Sequence, residues 1–77
     1  MNNIKQELNL LINELKNEGE LTSFEALRVS FLPVKMKAKK MRYILSCKAS
    51  NAYFKDAAKK SNELHSKSIR CASLLNK

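Results

Sequence analysis

The chain has 77 residues, 44% of them hydrophobic, with a net charge of +8 and an isoelectric point near 9.8. It is too short for more than one domain, too apolar to be disordered by composition, and its apolar runs are too short to span a bilayer. One glycine and one proline leave almost no hairpin chemistry, so the leucine-, lysine- and alanine-rich remainder points to helices.

The charge is unevenly placed. Residues 1–25 hold two lysines and five glutamates, whereas residues 26–77 hold thirteen Lys and Arg against Asp56 and Glu63 alone. The two cysteines, Cys47 and Cys71, come without a signal-peptide-like start. Free thiols in a reducing cytoplasm are therefore expected, with a Cys47–Cys71 bond open if the last two helices lie side by side.

The first helix is expected over about 3–18. Asn3 can cap it, and Ile4, Leu8, Leu11, Ile12 and Leu15 recur at the helical period. Gly19 can end it in a left-handed conformation. A second, short helix is expected over about 23–31, because "TSFE" is a capping box with Thr22 and Glu25 as partners. Leu21 and Ala26 are spaced for a hydrophobic staple, and Phe24, Leu27 and Phe31 are expected to face the core. Pro33 disfavours helical geometry at Leu32 and can open the next helix.

That third helix, about 34–47, contains "VKMKAKKMRYIL", with five cations and no acid. At about 100° per residue it divides into faces. Val34, Ala38, Met41 and Leu45 form a core stripe. Lys35, Lys39 and Arg42 form a ridge, Lys37 lies on the other flank, and Met36, Tyr43 and Cys47 cluster with Lys40 beside them. A break near 47–51 then precedes an amphipathic helix over about 51–75, although "SCKASN" has no Gly or Pro and a continuous helix from Pro33 to Leu75 is the alternative. The Ala- and Ser-rich inner face of this last helix suits close helix packing. The fold class expected is all-α, a small bundle of three or four helices in one domain, with a homodimer allowed.

Catalysis is poorly provided for. His65 is the only histidine, and its offset of six residues from Cys71 prevents direct contact on one helix. Cys47, Cys71 and His65 lack the paired spacing of a zinc site, and there is no glycine-rich phosphate loop. Asp56 and Glu63 sit among lysines as surface acids do. The expectation is a non-enzyme with no catalytic residue, no metal site and no cofactor.

The basic surface is the remaining signal. Several cations at short spacing fit a phosphate backbone, with counterion release as the driving term. Lys35, Lys37, Lys39, Lys40, Arg42, Lys59 and Lys67 are the expected contacts, with Tyr43, and secondarily Tyr53, available to stack on a base. Only three arginines are present, so backbone or shape recognition is favoured over base reading, and RNA slightly over DNA. A helix-turn-helix built on Pro33 has suitable lengths, but its turn "SFLP" lacks the usual small residue. The function expected is sequence-tolerant nucleic-acid binding in a regulatory or inhibitory role. The alternative is a protein-binding inhibitor or immunity-type bundle of phage or mobile-element origin, using an acidic surface of a host protein. Attachment to an anionic membrane ranks last.

Overall fold

The computed structural model describes residues 4–75, and side chains as far as residue 74. Among these residues there are four helices and no strand: α1 (Ile4–Asn17), α2 (Ser23–Ser30), α3 (Val34–Phe54) and α4 (Ala58–Leu75). The small all-α fold read from the sequence is the fold observed. The cap at Asn3 lies outside the described residues. The chain divides into two compact units, Met1–Lys37 and Ala38–Lys77.

In the first unit α1 buries Leu8, Leu11, Ile12 and Leu15, the stripe its spacing predicts. Gly19 adopts φ +80°. Its N–H donates to the Lys16 carbonyl (3.1 Å) and that of Glu20 to the Leu15 carbonyl (2.9 Å), which is a Schellman motif closing α1. Thr22 and Glu25 then form the reciprocal capping box, each bond 3.0 Å long. These two devices fix how the chain enters α2.

α2 packs on α1 through Ala26 and Val29, with Leu21 buried just ahead of it. The expectation for its other apolar residues is overturned. Phe24 and Leu27 are exposed, and Phe31 is 79% exposed. An eight-residue helix has room for only one buried face. The staple pair Leu21 and Ala26 selects the face that continues to Val29, leaving Phe24, Leu27 and Phe31 on the opposite side, one to two turns apart. Pro33 lacks an N–H, and its carbonyl instead accepts from Lys37 N (2.7 Å), making it the cap of α3. The first turn of α3 is counted with this unit.

The second unit is a helical hairpin. From α3 it buries Ala38, Met41, Leu45, Ala49 and Ala52, and from α4 Leu64, Ser68, Cys71 and Leu74. Ser61 Oγ donates to the Ala49 carbonyl (2.8 Å) and Ser68 Oγ to the Arg42 carbonyl (3.2 Å). The Ser46 and Ser68 hydroxyls share a third bond of 2.8 Å. A serine is short, so reaching a neighbouring backbone carbonyl requires the two helices to approach closely. The alanines along the seam permit that.

The break expected near 47–51 is absent, and α3 continues through it to Phe54. Ala49 and Ala52 are good helix formers held in the seam. The chain turns instead at 55–57, where Asp56 takes φ +61°. Its N–H donates to the Tyr53 carbonyl (3.1 Å) and that of Ala57 to the Ala52 carbonyl (2.9 Å), a second Schellman motif with Asp in place of Gly. Residues 51–54 therefore belong to α3, and the single helix from Pro33 to Leu75 is excluded too. Both thiols are free, with Cys47 exposed and Cys71 buried, so the bond between them does not form.

Candidate nucleic-acid interface

The site is built on α3, which carries six cations and no carboxylate in 21 residues. No acid on the helix itself can neutralise them. Within the second unit Lys39, Arg42, Ser46, Ser50 and Tyr53 follow at spacings of three, four, four and three. They lie within about 80° of one another on the helix surface, and all five are exposed. Lys35, exposed one turn earlier on the same helix, has the same phase.

A second exposed strip lies beside this ridge. Tyr43 is 64% exposed, Cys47 is exposed, and Lys40 Nζ stands 5.8 Å from the centre of the Tyr43 ring. The Met36–Tyr43 side of α3, which could have been the centre of a bundle, faces solvent. That cation–π contact orders Lys40 without removing its charge.

Lys37 has a different fate. It is 2% exposed and its Nζ donates to Asn9 Oδ1 (3.1 Å). It anchors the first turn of α3 to α1 and cannot present its ammonium to a phosphate, so it leaves the set of contact residues. Lys59 is exposed on α4. Lys67 is half-buried and already has an interaction partner.

The charge follows the division of the chain. Residues 1–37 contain five Lys and Arg and five Glu, whereas residues 38–77 contain ten Lys and Arg and two acids. The whole +8 excess thus belongs to the second unit.

Sequence reasoning missed the groove between α3 and α4 into which the ridge runs. It has a volume of about 410 Å³ and is lined by Ser46, Ser50, Tyr53 and Phe54 on one side and Asn62 and His65 on the other. The Tyr53 and Phe54 rings meet edge to face, with centres 5.9 Å apart and planes at 76°. Tyr53 is 65% and Phe54 83% exposed. The signal available in the sequence was the phase of Ser46, Ser50 and Tyr53 with Lys39 and Arg42, but a helix ended at 47 hides it.

Among the described residues no three His, Cys, Asp or Glu side chains converge as metal ligands, and no helix is long and apolar enough to cross a membrane. No family model matches the chain, and neither a curated protein nor a solved structure is significantly similar to it.

Proposed function

We propose that the protein is a non-catalytic nucleic-acid-binding protein that grips the phosphate backbone through α3, with RNA favoured over DNA, in a regulatory or inhibitory role. The observation that carries this reading is the absence of any carboxylate on α3 beside exposed Lys35, Lys39, Lys40 and Arg42. Cations left unpaired by their own helix retain condensed-counterion exchange as a source of binding free energy. Exposed Tyr43 adds a ring that can stack on an unpaired base, which is what favours RNA with loops and single strands. The exposed free thiol of Cys47 suits a reducing compartment such as the cytoplasm.

The test is binding to single-stranded RNA, hairpin RNA and duplex DNA across a salt series. Binding should weaken steeply with salt, and Lys39→Ala with Arg42→Ala should lower the single-strand slope by about 1.4. No binding to any of the three at low salt overturns the proposal.

A second reading has its own observation. Phe24, Leu27 and Phe31 form an exposed apolar face on α2, with the Arg28 guanidinium 5.7 Å from the Phe24 ring centre. Aromatic and arginine anchors at this spacing are what a helix presents to a partner protein's groove. Phe24→Ser with Phe31→Ser separates the two readings, since it should leave nucleic-acid binding intact while abolishing capture of a protein partner.

A further inference from the structure

We infer that the α3–α4 groove is a subsite for one unpaired nucleobase, with Tyr53 as its stacking face and Asn62 as its edge reader. The inference rests on the nucleic-acid reading and makes it more specific.

The polar groups of the groove fall into two sets. The hydroxyls of Ser46 and Ser61 are committed to Ser68 and the Ala49 carbonyl. Ser50, Asn62 and His65 remain exposed at the groove wall with no such commitment. An asparagine amide offers a donor and an acceptor side by side, the pattern that a base edge complements. Opposite it stands the Tyr53–Phe54 aromatic pair, most of whose surface is left in water. Apolar ring surface beside free amide and hydroxyl groups suits a flat, heteroaromatic ligand better than an aliphatic one. The volume of about 410 Å³ is in the range of small-ligand sites.

The neighbouring charge identifies that ligand as part of a strand. Arg42 and Lys39 share the helical phase of Tyr53, and the eleven residues from Arg42 to Tyr53 span about 16 Å. That is about five stacked nucleotide steps of 3.4 Å. A backbone held at Arg42 and Lys39 therefore delivers a nearby base to the groove. A paired and stacked base could not enter, so the site selects single strands, loops and bulges over duplex.

The experiment compares a short oligouridylate, an abasic oligomer of equal length and charge, and a duplex RNA, each against the wild type, Tyr53→Ala, Tyr53→Phe, Asn62→Ala and Lys39→Ala/Arg42→Ala. The oligouridylate should bind about tenfold more tightly than the abasic oligomer, the size of one aromatic–base stack. In a Tyr43→Ala background, which removes the other proposed stacking ring, Tyr53→Ala should erase that difference without changing the salt slope. Tyr53→Phe should keep the difference, and Asn62→Ala should reduce it. In a Tyr43→Phe background the oligouridylate should quench the Tyr53 emission. Circular dichroism melts confirm that each variant folds, which is expected because Tyr53 and Asn62 are exposed. Equal binding of base-bearing and abasic oligomers, with loss only in Lys39→Ala/Arg42→Ala, overturns the subsite and leaves backbone binding standing. Failure of every oligomer to bind overturns both.

Discussion

The two units of the chain solve stability and surface in opposite ways. The first is charge-balanced, has a leucine core, and is punctuated by a glycine Schellman motif and a full capping box. The second carries all the excess charge, fills its seam with alanine and serine, and turns on an aspartate in the left-handed region. Crowded like charges destabilise a compact state. A unit that accepts that cost, on a helix free of acids, carries a surface that folding alone does not call for, and the proposed polyanion partner would account for it. The first unit instead leaves apolar surface exposed on α2. The excess charge belongs to the second unit and the Phe24, Leu27 and Phe31 face to the first, and each can be tested separately.

The largest effects should come from the leucines. Leu8→Ala, at a fully buried position, should cost about 2–5 kcal/mol in a denaturant melt. Leu27→Ala on exposed α2 should change stability by less than about 0.5 kcal/mol. A large loss at Leu27 would mean that its face is covered in solution.

Next comes the contrast in charge. Lys39→Ala with Arg42→Ala should weaken binding to single-stranded RNA by tenfold or more at moderate salt. Lys5→Ala with Lys16→Ala, which removes the same charge from the first unit, should change it far less. Equal losses from the two pairs would show that total charge, not the α3 face, drives binding.

Burial pushes the Cys71 thiol up from 9.0 to about 11, with Arg70 opposing the shift slightly. The folded state therefore holds the proton that the unfolded state releases above pH 9. Stability should be insensitive to this group below pH 9, fall as pH rises from 9 to 11, and level off beyond, by roughly 2–3 kcal/mol in all. Comparing pH-dependent melts of the wild type and Cys71→Ala isolates the effect from lysine titration. In the native protein a maleimide should label Cys47 rapidly and Cys71 only on unfolding.

The smallest effects distinguish the two Schellman turns. A Cβ at Gly19 would meet nothing within 4 Å, so Gly19→Ala should cost about 1 kcal/mol through φ alone. Asp56→Gly should gain about 0.5 kcal/mol, because relief of the left-handed strain exceeds the loss of a carboxylate near the start of α4. Thermal melts of the two variants should move in opposite directions.

Much of this architecture was legible in the sequence. The α1 stripe, Gly19 and "TSFE" each announce their role, because local chemistry and tertiary packing agree there. The exposed face of α2 was not legible. Its two apolar faces are equally regular, and the larger side chains of Phe24, Leu27 and Phe31 mask the face that the Leu21 and Ala26 staple begins and that Val29 continues against α1. The end of α3 was misplaced because aspartate in the left-handed region is a weak signal beside glycine or proline. That error concealed the continuity of Arg42 with Ser46, Ser50 and Tyr53. Lys37 looked like its neighbours because a buried lysine is recognised only once its partner, Asn9, is in place.

The seam between α3 and α4 constrains how this sequence can drift. Ala49, Ala52, Ser61 and Ser68 sit where one helix touches the backbone or side chains of the other. Enlarging any of them would force the helices apart at a cost of about 1–3 kcal/mol. The lysines outside face no such limit, since a cation can move a turn along an exposed helix without disturbing the packing. Divergent descendants of this chain would therefore keep a recurring pattern of small residues while their charges wander. A search for kin is best keyed to that quiet period, not to the basic stretch that first draws the eye.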